Sequence, residues 1–560
     1  MVVKRRMGLL LSGTLLSASV AAAVPAFAED AQSQQQMQQQ INTLQQQLQQ
    51  LQDQMAATRA VPRGIYNDAP GGPIYTKAPP ILPGVKFSFA GSFIEAAAVW
   101  RQRNEVSDGA SDPPFSSLPF PNSPLYHEGE TRFSGRQSRI AFAATGDIDP
   151  HQHLQAYYEM DFLGAGVTAN SRESNSYQPR IRQAFVAYDN DDWHLHISGG
   201  QMWSLLTQDR VGMLPRSENV PLTIDAQYVV GFNWARTPSF RFVQDWNKVA
   251  WFGFSVESPQ VNFVSNSVGV LGASSQTGSS ANLATGAVTV GTTSVGGSTV
   301  PPGVTLNDIN VCNASGLLDS TTGCSTDQYP DLVQKFGLDP GWGHFEAVGL
   351  ERFFSDRVYS GAPVTGSDKT KVGWGVGGSA LMPIWPKFVD LQGSILYGQG
   401  LGRYGSSQLP DVTIGPDGTL QPLRTLQALV GFVAHPWEGL DVYGYAGQEQ
   451  VFSNFWTVGG VNGGYGNPAF ANTGCIAENM GSGPAGFNDP IAGTSCSGAT
   501  NVQRTQELTI GFWQNIYKGN FGRFVYGLQY EYVRLQPFGA PAGLNVNNNV
   551  VFASLRYYPF

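Results

Sequence analysis

The sequence predicts an all-β protein, a 16-stranded antiparallel transmembrane β-barrel preceded by a short N-terminal α-helical coiled coil. Charged residues make up 13% of the 560 residues, whereas they make up about 25% of soluble proteins. Aromatic residues reach 12%, yet no segment after the N-terminal leader holds the roughly 20 continuous apolar residues of a membrane helix. Segments of alternating apolar and polar residues follow one another instead, joined by connections that are short and long in turn, as in outer-membrane barrels.

Residues 1–28 have the organisation of a secretory signal peptide. Lys4, Arg5 and Arg6 give a positive start, an apolar stretch spans Met7–Val20, and Ala26-Phe27-Ala28 matches a small-x-small cleavage site. Cleavage removes three positive charges from a net charge of −9, which leaves about −12 on the mature chain. An acidic chain without a basic run argues against nucleic acid as a partner.

Residues 29–60 are predicted to form a periplasmic coiled coil. Fourteen glutamines fall between Gln32 and Gln54, a composition that by itself would also fit a polar linker. The apolar residues recur at alternating spacings of four and three, which is a heptad seam. The seam consists of Met37, Ile41, Leu44, Leu48, Leu51 and Met55. Residues 61–84, rich in Pro and Gly, cannot continue the helix and are predicted to be a linker.

Residues 85–560 are predicted to form the barrel. The period-two segments lie near 86–101, 134–146, 152–163, 179–190, 192–203, 235–244, 248–258, 331–338, 343–358, 371–382, 388–399, 424–434, 440–449, 505–516, 523–535 and 548–559. An even number of strands places both ends of the barrel on the side of the short turns, where the coiled coil must lie. Segment 227–234 could be a seventeenth strand, but we assign it to the third long loop, 204–234.

Alternation within the strands predicts which side chains face the lumen. Lipid requires an apolar face and a water-filled lumen a polar one, so the inward set includes Arg139, Arg180, Arg182, Arg241, Glu159 and Asp161. Rings of arginine favour anions in a pore, and a guanidinium is suited to bind carboxylates. The alternative is that Arg139 and Arg182 are held in structural ion pairs with the two carboxylates. Arg241 has no obvious carboxylate partner in the sequence.

The third long loop is a possible constriction. We assign Arg210, Arg216 and Arg236 to it, together with the acidic residues Asp209, Glu218 and Asp225. If the loop folds into the barrel, it narrows the pore and sets its selectivity. If it stays outside, it is a solvated external loop. Periodicity does not decide between these alternatives, because a loop has no period.

Four cysteines form two local pairs within long loops. The signal peptide implies an oxidising compartment, so we predict the disulfides Cys312–Cys324 and Cys475–Cys496. The alternative, a metal site, has neither a CxxC spacing nor a nearby histidine. The first pair lies in the Ser/Thr/Gly-rich insertion 259–330, which we expect to be an external loop.

No motif in the sequence indicates an enzyme or a cofactor. Gly373, Gly375 and Gly378 fit GxGxxG but lie within a predicted strand with no helix after it. The pairs His151/His153 and His194/His196 share a strand face but lack an evident third metal ligand. We therefore predict no catalytic residues, no metal and no cofactor.

Four short segments resemble the DcaP-like outer-membrane porins. They are Phe133-Ser134-Gly135-Arg136-Gln137-Ser138-Arg139, Tyr158-Glu159-Met160-Asp161-Phe162 followed by Gly164, Arg180-Ile181-Arg182-Gln183-Ala184, and Gly200-Gln201-Met202-Trp203-Ser204. The resemblance is clearest over 133–245. It implies a trimer of sixteen-stranded barrels with an N-terminal periplasmic coiled coil, and pore-facing basic residues at Arg136, Arg139, Arg180 and Arg182. The insertion 259–330 and the cysteine pairs depart from the family pattern.

The functional expectation is a passive channel in the Gram-negative outer membrane for small anionic solutes, dicarboxylates above all. The homotrimer follows from the resemblance, because Ile at a and Leu at d by themselves favour dimers. A first alternative is a channel for neutral sugars that stack on lumen aromatics such as Tyr157. A second is a structural anchor that presents the coiled coil in the periplasm.

Overall fold

The computed structural model describes residues 84–89, 91–106, 115, 118–164, 178–225, 229–262, 327–360, 365–458, 461–468, 473–476, 478 and 502–559. The predicted signal peptide, coiled coil and linker up to residue 83 lie outside the described residues. So does most of the insertion 259–330. The corresponding predictions therefore stay predictions.

The described part of the chain is almost entirely antiparallel β-structure. The strands are β1 (Val85–Ser88), β2 (Ile94–Arg101), β3 (Glu130–Ser134), β4 (Ile140–Asp149), β5 (Gln152–Asp161), β6 (Arg180–Asn190), β7 (Leu195–Trp203), β8 (Arg236–Trp246), β9 (Ala250–Glu257), β10 (Asp331–Leu338), β11 (His344–Ser360), β12 (Thr365–Trp385), β13 (Val389–Gln399), β14 (Val412–Ile414), β15 (Leu420–Pro422), β16 (Arg424–Trp437), β17 (Leu440–Val451), β18 (Asn454–Val458), β19 (Val461–Tyr465), β20 (Val502–Gly519), β21 (Gly522–Pro537) and β22 (Val546–Tyr558). One short helix, α1 (Pro124–His127), lies in the first long loop. No helix in the described residues is both long and apolar enough to cross a membrane.

Neighbours in sequence are neighbours in the sheet. From β4 to β13 each strand pairs with the next, and the series continues through β16, β17, β20, β21 and β22. The last strand returns to the start, since Val551 lies opposite Trp100 in β2. β14–β15 and β18–β19 are separate small hairpins within two of the long loops, which the sequence analysis did not predict.

Connections at one end of the strands, the short-turn end, span only a few residues, as predicted. Gly522 illustrates the need for tight geometry there. It has φ +89°, and a Cβ at this position would lie 2.0 Å from the Tyr558 carbonyl oxygen, so only glycine fits this turn. At the opposite, long-loop end one prediction is wrong. The connection expected over 359–370 shrinks to 361–364, because β11 and β12 continue and Arg357 pairs with Asp368 at 2.6 Å.

Outward-facing side chains are large and apolar, and aromatic residues border them. Phe240 is 76% exposed, while its neighbour in sequence, Arg241, is 2% exposed. Exposed aromatic residues cluster at the short-turn end: Trp193, Trp246, Trp342, Trp385, Trp437 and Phe521. Outer-membrane barrels carry aromatic girdles of this kind at the membrane interface. The inward face is buried, and charged side chains such as Arg182, Lys335 and Glu449 lie on it.

Candidate functional site: the inner face and the third long loop

The described residues of the third long loop, 204–225 and 229–235, lie inside the ring of strands. We call this described part of the loop the inner loop. Side chains that point inward from three different strands accept hydrogen bonds from its backbone N–H groups: Gln529 from Ile224 at 2.6 Å, Glu507 from Val230 at 2.7 Å and Glu449 from Gly231 at 2.8 Å. Buried N–H groups need such partners. The alternative of a solvated external loop is therefore wrong.

Apolar packing holds one side of the inner loop against the wall. Val220, Leu222, Ile224, Val229 and Phe232 form one buried cluster with side chains of β2, β16, β17 and β20–β22. The wall side chains in this cluster are Ala97, Val99, Leu429, Tyr443, Tyr445, Trp513, Val525, Val550 and Phe552. Burial of this much apolar surface is the main force that keeps the loop inside. It occupies the lumen on the side of β16–β22.

The start of the inner loop forms a charged hairpin against β10 and β11. Asp209 and Glu218 face each other as a β-bridge. Lys335 Nζ donates to the Asp209 carboxylate at 2.9 Å and to Glu346 at 2.9 Å. Burial raises the pKa of Asp209, and burial together with the nearby Asp209 charge raises the pKa of Glu218 to about 7. One lysine thus holds two carboxylates here, and a third carboxylate lies beside them.

Another part of the lumen is lined by β4, β5 and β6. Because several arginine side chains lie on it, we call it the arginine wall. Arg182 donates to Glu159 at 2.6 Å and to Asp161 at 3.0 Å, and Arg139 lies 3.7 Å from Glu159. A register shift between β5 and β6 falls at Arg182. A bulge of this kind re-aims a side chain, and Arg182 accordingly points inward beside Gln183. Arg139 and Arg182 take part in the ion pairs that the structural alternative expects.

Three further arginines lie higher on this wall, at the long-loop end, and are only partly buried. We call Arg136, Arg180 and Arg236 the mouth arginines. Arg180 makes a two-pronged contact with Asp161 at 3.0 and 2.8 Å while its side chain stays 32% exposed. Arg136 donates to the carbonyl oxygens of Phe162 and Gly164 at 3.1 and 3.2 Å. Arg236 lies over the Trp203 and Trp234 rings. It is the first residue of β8 and not, as predicted, part of the loop.

The other arginines singled out in the sequence contact the inner loop. Arg241 donates to the backbone carbonyl oxygens of Trp203 and Met213 at 2.5 and 3.4 Å, so its partners are carbonyls where the sequence suggested none. The backbone N–H of Arg210 bonds to Ser217 across the hairpin at 2.8 Å. Arg216 lies 4.2 Å from the centre of the Tyr157 ring.

Tyr157 does not fit the stacking role that the sugar hypothesis gave it. It is 4% exposed. Arg216 lies over its ring, and its hydroxyl donates to Glu159 at 2.8 Å. A sugar would have to displace the guanidinium to reach the ring.

Guanidinium groups are concentrated on the arginine wall. Within the described residues they are those of Arg136, Arg139, Arg180, Arg182, Arg216 and Arg236. Ion pairs with Glu159 and Asp161 are formed by Arg139, Arg180 and Arg182. A concentration of positive charge along one wall attracts anions into a low-dielectric cleft.

The sequence analysis missed two other buried charge clusters of the lumen. Arg352 donates to Asp331 at 3.0 Å and to Asp411 at 2.8 Å. Arg556 donates to Glu95 at 2.8 Å and to the Ile224 carbonyl oxygen at 2.8 Å, which ties β22, β2 and the inner loop together. Period-two alternation already assigns Arg352 to an inward position, but it does not reveal cross-barrel partners.

Histidine side chains of the described strands form contacts with carboxylates. His196 bonds to Asp189 at 2.7 Å and to Asp245 at 3.1 Å, and so joins neighbouring strands near the short-turn end. In the described part of the chain no group of three or more His, Cys, Asp or Glu side chains has the arrangement of a metal site. Cys475 is buried. Its three counterparts lie outside the described residues, so both disulfides stay predictions.

Known structures share this architecture. No protein-family model matches the sequence, and the search of curated proteins found no relative. The outer membrane channel DcaP of Acinetobacter baumannii matches with a TM-score of 0.52 and 14% identity, over 87% of this chain and 99% of that one. An anion-selective porin from Comamonas acidovorans matches at a TM-score of 0.38 and 8% identity, over 84% of this chain and 98% of that one. The likeness to DcaP concerns the fold, and it confirms the porin-like architecture that the sequence motifs suggested.

Proposed function

We propose that the chain forms an outer-membrane channel through which small anionic solutes, dicarboxylates foremost, diffuse passively. The observation that carries this proposal is the arginine wall, a cluster of six guanidinium groups of which three form ion pairs with Glu159 and Asp161. A carboxylate in transit would meet the mouth arginines first, because they retain exposed surface at the long-loop end. Several weak contacts in sequence allow a solute both to enter and to leave, which conduction requires.

We infer that the strands close into a barrel of sixteen. β1 pairs with β4 and β2 pairs with β3, so β1 and β2 together form one interrupted strand, and β3 and β4 form the next. The two small hairpins β14–β15 and β18–β19 are not part of the ring. The remaining pairings then run from the first strand to β22 and back to β2. Closure leaves no unpaired strand edge in the lipid. The aromatic girdle at the short-turn end supports insertion in a membrane.

A second candidate is a closed barrel that anchors the N-terminal segment in the outer membrane. The observation that favours it is the apolar packing of the inner loop, which occupies the lumen beside β16–β22. The neutral-sugar alternative is weaker, because the aromatic ring it relied on is covered by Arg216.

We retain four finer proposals from the sequence. The mature chain forms a homotrimer in contact with outer-membrane lipid, residues 29–60 form a coiled coil in the periplasm, and the four cysteines form two disulfides. The inner loop is the constriction of the channel, and Arg210 and Arg216 on it face the route of the solute. Each of these proposals can be tested separately from the selectivity of the pore.

The test is the reversal potential of the full-length protein in a planar bilayer under a tenfold KCl gradient. An ideal anion channel approaches about 59 mV. The variant Arg180→Gln/Arg236→Gln removes two mouth charges, and we expect its potential to fall to less than roughly half of the wild-type value. The control is Arg357→Gln/Lys369→Gln, which makes the same charge change at the long-loop end of β11 and β12, away from the arginine wall.

The outcomes separate the candidates. Anion preference that is lost in the mouth variant and kept in the control supports the anion channel, and block of chloride current by a four-carbon dicarboxylate extends it to that solute class. Cation preference, or equal potentials in all three proteins, contradicts the role of the arginine wall. Absence of conductance supports the anchor.

A further inference from the structure

The outer face of the barrel carries a polar patch on β17 and β20–β22, which are not strands of the arginine wall. On the outer face, the side chains at the long-loop ends of β17 and β20–β22 are amides and arginines. The outward side chains in the middle of these strands are mostly apolar. The amides and arginines are Gln448, Gln450, Arg504, Gln506, Arg534, Gln536, Asn547 and Asn549. We call this set the outer polar patch. Arg424 on β16 flanks it, in contact with the Phe452 ring.

Strand register makes the patch continuous. Gln448 lies opposite Gln506, Gln506 opposite Arg534, and Arg534 opposite Asn547. A second row runs above it from Gln450 through Arg504 to Gln536. Side chains directly opposite on neighbouring strands have Cβ atoms about 4.5–5.5 Å apart. The two rows therefore form one surface that spans four strands.

Hydrogen bonds between the amides hold this surface in place. Gln506 Nε2 donates to Gln448 Oε1 at 2.9 Å, and Arg504 Nη2 donates to Gln536 Oε1 at 2.6 Å. The Arg504 Nε atom is buried and has no hydrogen-bond partner among the described residues. Arg534 is exposed. The patch thus presents ordered donors, including guanidinium N–H groups, to the outside of the barrel.

Its charge is entirely positive. Within the described residues, no outward-facing side chain of β16, β17 or β20–β22 is acidic, since Asp441, Glu449, Glu507 and Glu531 all point inward. The aromatic side chains of Tyr530 and Tyr532 lie directly below the patch. The Tyr530 hydroxyl donates a hydrogen bond to Asn549, and the Tyr532 hydroxyl accepts one from Asn547. Aromatic residues of this kind mark the level of the membrane interface, so the patch lies at the level of lipid headgroups.

We propose that the outer polar patch binds the phosphorylated sugar headgroup of a glycolipid in the outer leaflet. Guanidinium groups bind phosphate oxygens in two-pronged fashion, and the amides supply donors and acceptors for sugar hydroxyls. The long-loop end faces the outside in barrels of this type, so the leaflet in contact is the external one. The proposal rests on the outer-membrane location but not on the solute or on conduction.

The test uses the full-length protein in detergent and native mass spectrometry with diphosphorylated lipid A as the probe. We expect wild-type protein to retain the lipid and Arg504→Gln/Arg534→Gln to bind it roughly tenfold more weakly, because each basic residue near a charged lipid surface contributes measurably to binding. Arg504→Lys/Arg534→Lys, which keeps the charge, should recover part of the affinity. Arg357→Gln/Lys369→Gln is the control of equal charge change and should bind as wild type does.

Four results would overturn the proposal. Two concern lipid A: the Gln variant and the control bind it equally, or the wild-type protein binds it equally well after its phosphates are removed. The other two are binding of free pyrophosphate as tight as that of the lipid, and a changed oligomeric state in the Gln variant. The last result would assign the patch to a contact between copies of the chain. Heat-dependent mobility in gel electrophoresis verifies that each variant is folded. Reversal potentials of the same samples test the channel proposal independently, so failure of lipid binding can be distinguished from failure of anion selectivity.

Discussion

Arg182 illustrates how a charged side chain can be held inside this barrel. It is 0% exposed and contacts two carboxylates, so three charges share one buried site. Such an arrangement is favourable only while every member keeps its partners, because the desolvation of each charge is already complete. Arg180, on the same Asp161 but partly exposed, can replace its contacts with water.

We expect Arg182→Ala to lower the free energy of unfolding by about 3–5 kcal/mol, because it leaves Glu159 and Asp161 buried with less compensation. Arg180→Ala should cost about 1 kcal/mol or less, since solvent screens its contact. Urea titration of protein folded in lipid vesicles measures both. Equal costs for the two variants would show that Arg182 is not the centre of the network.

The positions of these arginines follow from alternation, but their partners do not. Period-two spacing places Arg139, Arg180 and Glu159 on the inward face of their strands. The bulge at Arg182 depends on the register between β5 and β6, which hydrophobic pattern alone does not specify. The role of Arg556 was missed for the same reason, since its partners lie on β2 and on the inner loop.

At the scale of elements, the inner loop decides what the lumen can do. Apolar contacts hold its later part, and the Asp209–Glu218 hairpin holds its start against Lys335. Sequence patterns predicted the strands around it closely, for example β10 at Asp331–Leu338. They did not predict where the loop lies, because its apolar residues follow the irregular surface of the barrel interior and no strand or helix period.

We expect the hairpin to respond to pH through Glu218. Its pKa is about 7 in the folded protein, against about 4.3 for an unperturbed glutamate. A raised pKa means that the folded state favours the protonated form, so this stabilisation is full below about pH 4.3 and is lost as pH rises through 7. The facing groups are Asp209, Arg241 and Lys335.

The variant Glu218→Gln should remove this dependence. We expect the melting temperature of the wild-type protein in detergent to fall between pH 5 and pH 8 relative to that of the variant. The corresponding loss of unfolding free energy is on the order of 2 kcal/mol. Gln keeps the shape of the side chain but cannot lose a proton in this pH range. Parallel curves for wild type and Glu218→Gln would show that Glu218 does not titrate in this range.

At the scale of the whole molecule, the barrel has two unlike halves. On the side of β16–β22 the lumen is packed with apolar side chains and the outer face carries the outer polar patch. On the side of β4–β8 the lumen carries the arginine wall. A solute would therefore pass along the arginine wall, whereas a lipid would contact the outer face of the half whose lumen is packed with apolar side chains. Because the two sites lie on different strands, the variants above should change anion selectivity or lipid binding separately.

The ring of strands should be independent of the N-terminal segment. All strand pairings in the described residues lie at Val85 or beyond. We expect deletion of residues 29–60, with the signal peptide kept, to leave the heat-dependent gel mobility and the reversal potential unchanged. Replacement of the same residues by a Gly/Ser linker of equal length controls for spacing. Loss of the folded form in both proteins would mean that this segment is needed to build the barrel, whereas loss of the trimer alone would assign it to assembly.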